Sequence, residues 1–514
     1  MGDCMDSVIS ASTKLCNRSD AYCCECPGMM THLKFYLFLA VFFLPVFPLF
    51  SAELKTGEMF YNDYTSTGIK EGTTFRWVAY VPECYDPEKP AALYVGHDGL
   101  NMVHAKMLEE MAADGETPVT VCVGLASGEL QPTLEGGSPR RMRAEEYDET
   151  GSEYPDFLVD EFIPWFIREY GLNIDSNPDM HMVAGSSSGG ISAWNIAWFR
   201  NDYFRRCYLA SPSFLAIRNG EETLYRVRLS EPRPIRIYET YGEFEPDMYE
   251  GNSYLAAVFA KNTFEYAGYD VQAEFLQGGD HGAGYNDPEV TRRMLKFLWK
   301  DWQNSPVRPL RQQERLNRLV EFGTTWEETE DPFPDPLPAR TTIGDYSFDG
   351  GHIIFTDLDG KKRVVNSEFG NISALAISTD RWRLYVADRL KHCVYALAIH
   401  PDGSLGKPYT LAPLRLSPKI EQLGASAICV DTKDRLYVAT PLGIQSIISF
   451  GIIDAILPLP GDLQADDVAF GGDEGRILYA RSGEKVFKRR MKTVGKPLDL
   501  PITPPGTNGY YDGD

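Results

Sequence analysis

Seven short apolar runs, most of them separated by stretches of helical periodicity, restrict the first three-fifths of this chain to an alternating α/β layout. They fall at residues 75–81, 91–95, 119–125, 181–184, 206–210, 235–240 and 271–276 and are rich in Val, Ile and Tyr. Strands buried on both faces read as continuous apolar runs of this kind. Between them, residues 154–170 place Phe157, Leu158, Phe162, Trp165 and Phe166 at helical spacing, and 255–268 and 288–302 follow the same rule. The alternation predicts a mostly parallel sheet with helices on both faces, and in such sheets ligands sit at the carboxyl ends of the strands.

The chemistry is sought there. The predicted strand 181–184 runs into Gly185-Ser186-Ser187-Ser188-Gly189-Gly190, and a helical stretch follows. G-x-S-x-G between a strand and a helix lifts its middle serine above the sheet on a tight turn, at a helix N-terminus that favours a developing anion. Ser187 is the expected nucleophile. A flexible Ser/Gly turn has the same letters, so the flanking strand and helix carry the argument. A serine hydroxyl needs a base, and in this arrangement the order is serine, acid, histidine. His97, His104 and His181 precede the elbow; His281, in a Gly-rich loop after the last predicted strand, is the expected base. The acid is expected after strand 235–240, where Glu243, Glu245 and Asp247 compete; Asp247 ranks first and Glu245 second. Its role is to fix the histidine tautomer and stabilise the imidazolium. The oxyanion donors are expected from the N–H of Ser188 and from Gly99 or Leu100, in the loop after the strand 91–95.

These features, with Arg143-Ala144-Glu145-Glu146-Tyr147-Asp148, Ser211-Pro212-Ser213 and Ala267-Gly268-Tyr269-Asp270, resemble the family of α/β hydrolases that contains enterochelin esterase and esterase D, over about residues 55–303. The resemblance implies an α/β hydrolase fold, a serine carboxylesterase and the triad above. It also implies a substrate-mouth position for Arg143, Glu146 and Tyr147. Arg143 is then either a ligand for an anionic group of the substrate or half of a salt bridge to Glu146.

From residue 343 the texture becomes all-β. Paired segments recur at 375–378 with 383–388, 428–431 with 435–440 and 467–470 with 476–480, with a partial copy at 353–357. Tyr385, Tyr437 and Tyr479 stand 52 and 42 residues apart, a propeller-blade period. The repeats resemble gluconolactonase/regucalcin-type β-propellers over about residues 345–500. The resemblance implies a divalent metal in the central channel, but Ser373-Ala374 and Ser426-Ala427 stand where Asn-Gly and Asp-Gly are expected. Hydroxyls are poor substitutes for a carboxylate there. No metal site and no cofactor are therefore expected, and a partial propeller used for binding, pairing or support is. Asp466 and Asp467 read as a solvated turn rather than a cation site.

Residues 33–50 are apolar with one charge, Lys34, and precede Ser51-Ala52. That pattern predicts a secretory signal peptide, with a retained anchor as the rival that Pro45 and Pro48 disfavour. The preceding segment holds Cys4, Cys16, Cys23, Cys24 and Cys26 at spacing unsuited to a zinc pair, and Met29 or Met30 is the expected start. The expected organisation is 1–52 start and signal, 53–305 hydrolase, 306–342 acidic Pro-rich linker with a short basic helix, and 343–514 propeller-like. The net charge of −23 argues against nucleic acid as a partner. The chain is thus expected to be a secreted or periplasmic serine esterase acting on a small-molecule or carbohydrate ester, siderophore-type esters included, without stable membrane association after signal cleavage. The rivals are a non-catalytic glycan-binding protein and a metal-dependent lactonase acting through the C-terminal repeats.

Overall fold

The computed structural model describes residues 54–416 and 424–506. The expected signal segment and the cysteines before it lie outside them. Twelve strands build the first region: β1 (Met59–Thr65), β2 (Thr73–Tyr80), β3 (Ala92–His97), β4 (Thr120–Leu125), β5 (Glu129–Leu130), β6 (Arg140–Arg141), β7 (His181–Ser186), β8 (Arg206–Ala210), β9 (Arg236–Phe244), β10 (Asp247–Met248), β11 (Gly251–Asn252) and β12 (Asp270–Asp280). Ten of them form one sheet in the order β12-β9-β8-β7-β3-β4-β2-β5-β6, with β1 on β2. The strands from β4 to β12 run parallel, while β2, β1, β5 and β6 add an antiparallel edge.

The seven apolar runs are β2, β3, β4, β7, β8, β9 and β12, and the two-sided burial behind them is explicit. Leu93, Val95, Val121, Val123, Val183, Cys207 and Leu209 point into one core. Their alternates Tyr94, Cys122, Met182, Ala184, Tyr208 and Ala210 point into the other. Period-two alternation with both phases apolar is what a sheet sandwiched between helices requires. Cys122 and Cys207 are accordingly buried, free thiols, whereas Cys84 is exposed in the loop after β2.

The helices follow the strands: α1 (Met102–Ala113), α2 (Arg143–Tyr147), α3 (Glu153–Asp156), α4 (Ile163–Tyr170), α5 (Ser188–Phe199), α6 (Gly220–Leu229), α7 (Ser253–Ala267) and α8 (Pro288–Leu298). The stretch expected as one helix over 154–170 is α3 and α4 joined by a wide turn at Phe157–Phe162, a geometry that admits one extra residue per turn. Asp287 caps α8 by accepting from the N–H groups of Glu289 and Val290, and Asn252 caps α7 at Leu255.

The second region is four antiparallel sheets of four strands each. Three begin at Ala339–Arg340, Ile372–Ile377 and Ala427–Val430 and take consecutive strands. The fourth consists of Asp467–Gly471, Ile477–Ser482, Lys485–Arg490 and, from far upstream, Glu327–Glu328. The acidic segment read as a free linker is therefore partly a strand: Glu327 and Glu328 face Lys488 and Phe487 and tie the start of this region to its end. The expected basic helix is a single turn, Glu314–Asn317. The recurring tyrosines explain the period. Tyr385 and Tyr437 are fully buried on second strands, and each hydroxyl reaches beyond its own sheet, Tyr385 to Asp434 Oδ2 at 2.6 Å and Tyr437 to Thr493 Oγ1 at 2.7 Å. Sheets that cannot bury both faces alone are thereby locked to their neighbours. Ser373 donates to the Ala425 carbonyl, Ser426 accepts from Arg389, and Asp467 pairs with Arg481, so these positions serve packing between and within sheets.

Candidate active site

The elbow between β7 and α5 takes its shape from Ser187, whose backbone lies at φ 58°, ψ −125°. For a non-glycine residue this conformation costs about 1–3 kcal/mol and persists only when neighbours over-determine it. They do: the Ser187 N–H donates to Ala210 O at 2.9 Å, and its carbonyl accepts from the N–H groups of Gly190, Ile191 and Ser213. The flanking glycine answers to the same crowding, since a Cβ on Gly185 would lie 2.0 Å from Gly189 O. The Ser187 hydroxyl is half-buried and 3.4 Å from Ser213 Oγ.

His281 stands on the loop after β12, with Nδ1 2.6 Å from Glu245 Oε2. An ionised carboxylate only accepts, so Nδ1 carries the hydrogen and Nε2 is left as the basic nitrogen. The Glu245 side chain is 1% exposed, and its other oxygen accepts from the Ser211 hydroxyl and from Gly242 N at 3.0 Å. Burial pushes the Glu245 carboxyl up, but the hydrogen bonds from His281, Ser211 and Gly242 outweigh it and hold the group below the usual carboxylate range. The two strand ends meet closely: a Cβ on Gly242 would lie 2.3 Å from Asp280 O. On the other side of the histidine, a Cβ on Gly282 would lie 3.3 Å from Ser186 Oγ, which sets the histidine loop against the elbow.

The ranking of the acids is therefore corrected. Glu245, not Asp247, meets His281. Strand β9 runs on to Phe244, four residues past its predicted end, so Glu245 is the first residue beyond it and faces the β12 loop. Asp247 is exposed and belongs to a two-strand turn, paired with Asn252. Glu243 accepts from the Gly278 N–H at 2.8 Å. The upstream histidines are structural: His97 binds Ala184 O and Ser192, His104 binds Tyr94 and Tyr285 O, and His181 binds Tyr203 O and Asp175 O. Burial lowers the His97 and His104 imidazoles to about 4 and about 3.

Ser188 is buried at the first position of α5. Of the two candidates in the β3 loop, the Gly99 N–H is occupied by Leu125 O at 3.1 Å, so Leu100 is the one that remains as a candidate donor. Sequence reasoning missed what holds this loop. Arg143 pairs with Asp98 through two parallel bonds of 2.9 and 2.8 Å, and not with Glu146. Asp98, at φ 56°, immediately precedes Gly99 and Leu100 in this loop. Tyr147 is fully buried beneath, donating to Leu125 O at 3.2 Å. Glu146 is also buried, accepts from Gly128 N at 2.7 Å, and is pushed by burial up to about 7. Tyr147 and Glu146 thus brace loops from below instead of lining a substrate mouth; only Arg143 is partly exposed.

Ser211 is the second residue that the motif reading passed over. Its backbone is at φ 44°, its hydroxyl donates to Glu245 and also accepts from Gly282 N at 2.8 Å, so one oxygen joins the acid to the histidine loop. Hydrogen bonds to a charged group are worth about 1.5–3 kcal/mol. Ser211→Ala is expected to lower kcat by about 10- to 100-fold with KM little changed. In a Glu245→Gln background the same change is expected to add little, because the two act as one unit. Steady-state kinetics of the single and double variants measure both.

Residues 70–281 match the family model described as Putative esterase, and residues 321–484 match that of the SMP-30/Gluconolactonase/LRE-like region. No curated protein matches the chain. Among solved structures, the enterobactin esterase FES from Shigella flexneri is similar at 16% identity, over 49% of this chain and 62% of that one, with a TM-score of 0.37. The siderophore hydrolase EstB from Aspergillus nidulans is similar at 15% identity over 50% and 99%, TM-score 0.36. A structure described as a putative gluconolactonase is similar at 16% identity over 30% of this chain and 50% of that one, TM-score 0.26. The chain thus joins an esterase-family α/β hydrolase region to a gluconolactonase-like partial propeller. It is a hydrolase of the esterase class.

Proposed function

We propose that this chain is an exported serine carboxylic-ester hydrolase in which Ser187 is the nucleophile, His281 the general base and then acid, and Glu245 the orienting carboxylate. The observation that carries the reading is the 2.6 Å contact between His281 Nδ1 and the nearly fully covered Glu245 carboxylate, on a loop packed against the Ser187 elbow. In this mechanism His281 Nε2 takes the Ser187 proton as Oγ adds to the ester carbonyl. The N–H groups of Ser188 and Leu100 hold the oxyanion, and the alcohol departs with the proton from His281. Water, deprotonated by the same nitrogen, then releases the acid. Arg143 and Asp98 keep the oxyanion loop in place.

Carbohydrate or siderophore-type esters are the proposed substrates. Ferulic acid and siderophore hydrolases are among the similar structures. Phe244, Met248, Tyr249 and Tyr254, in the segment that follows β9, offer exposed rings and a thioether suited to a ring-bearing substrate. Export rests on the apolar segment 33–50; among the described residues no helix is long and apolar enough to cross a membrane. The test is kcat/KM across aryl, acetyl-xylan, feruloyl and catecholate esters, with and without a phosphonofluoridate or a chelator. Saturable turnover of at least one ester, abolished by the phosphonofluoridate and indifferent to the chelator, is expected. Turnover lost to the chelator alone would assign the activity to metal chemistry instead.

A further inference from the structure

A cavity of about 1410 Å³ lies away from the catalytic serine, between the hydrolase region, the connecting segment and the C-terminal sheets. One wall includes the end of α5. That helix begins beside Ser187 and runs 12 residues, so the cleft opens about 18 Å from the nucleophile. Three ion pairs bridge the regions: Arg233 with Asp462, the fully covered Arg489 with Glu231, and Arg415 with Glu222.

Other groups in the wall are not matched. Arg226 on α6 has its guanidinium 5.3 Å over the Phe199 ring and donates to the Thr150 carbonyl at 3.3 Å. It makes no ion pair among the described residues, and its Nε has no hydrogen-bond acceptor. One helical turn on, the buried Ser230 hydroxyl has no partner. Across the cleft, the Trp326 indole N–H, on a residue 8% exposed, and the Arg489 Nε are also without acceptors. Three N–H donors and a hydroxyl lack acceptors around a cation that has no direct ion-pair partner, only the longer-range attraction of Glu222 and Asp462. Covered donors without acceptors are costly until matched. Burial lowers the Arg226 guanidinium to about 10, so it still carries its charge at neutral pH.

We propose that this cleft is a second ligand site, which takes a small molecule bearing a carboxylate or phosphate group, with Arg226 as the anchoring cation and Trp326 and Ser230 as donors. Its volume admits an organic body besides the anion. The site is independent of the ester chemistry, since none of these residues belongs to the triad or the oxyanion loop.

The experiment is isothermal titration of the full chain with inorganic phosphate, glucose 6-phosphate and glucuronate, repeated on Arg226→Gln and Trp326→Phe. Saturable binding of at least one probe is expected, and the preferred probe separates a phosphate from a sugar-carboxylate ligand. Arg226→Gln should weaken it at least tenfold, Trp326→Phe several-fold, and neither should alter ester turnover without probe. Absence of saturable binding for all three probes overturns the proposal, as does unchanged affinity in Arg226→Gln. Should that variant fail to fold, unchanged affinity in Trp326→Phe overturns it.

Discussion

Ser187→Ala is expected to reduce kcat on any ester substrate on the order of 10⁵-fold, the scale on which removing the nucleophile of such a triad acts. The residual rate would come from the oxyanion donors and substrate binding, which the variant retains. Stability should move little. The strained backbone at φ 58° is held by hydrogen bonds to Ala210, Gly190, Ile191 and Ser213 that involve only main-chain atoms of residue 187. The Oγ itself has one long contact, 3.4 Å to Ser213. Thermal unfolding of the variant should therefore shift by less than about 1 kcal/mol. Loss of rate without loss of fold separates a chemical role from a structural one; turnover within tenfold of the parent would contradict the assignment.

Glu245→Gln is expected to lower kcat by about 10³- to 10⁴-fold, while Asp247→Asn leaves it within about twofold. A glutamine can offer an N–H to His281 Nδ1, which favours the tautomer with the hydrogen on Nε2 and removes the base. It also cannot stabilise the imidazolium formed in the transition state. Asp247, exposed and paired only through its backbone, has no such duty. The pH dependence follows from the same contacts. The Glu245 carboxyl is depressed in the folded protein, so its stabilising contribution is complete above the unfolded value of about 4.3 and is lost as pH falls through the lower folded value. Acid unfolding of Glu245→Gln should lack that component. Steady-state rates and acid titrations of both variants measure these effects, and a larger loss in Asp247→Asn would reverse the ranking.

The parallel core and the elbow were legible because each rests on local pattern. Apolar runs mark strands buried twice over, and Gly185 and Gly189 mark a turn that leaves no room for a Cβ on Gly185. His281 was legible by order alone. The recurring paired segments, with the partial copy at 353–357, disclosed the four sheets, and two of the three repeated tyrosines, Tyr385 and Tyr437, reach beyond their own sheets. What escaped was set by register and by distance in sequence. Three carboxylates lie within five residues, and only the actual end of β9 decides which one faces the histidine. The Arg143–Asp98 pair spans 45 residues and Ser211–Gly282 spans 71, so no spacing rule connects them. Glu327 and Glu328 read as linker because two residues on a sheet edge bury nothing that a hydrophobic pattern would register.

The central claim is that one hydroxyl, at Ser187, is activated by His281. Labelling the chain with a fluorophosphonate probe and mapping the adduct by mass spectrometry tests it most directly. One adduct per chain, on Ser187 and absent in His281→Ala, is the predicted result; an adduct on Ser186 or Ser188, or labelling of Ser187 undiminished in His281→Ala, would contradict it.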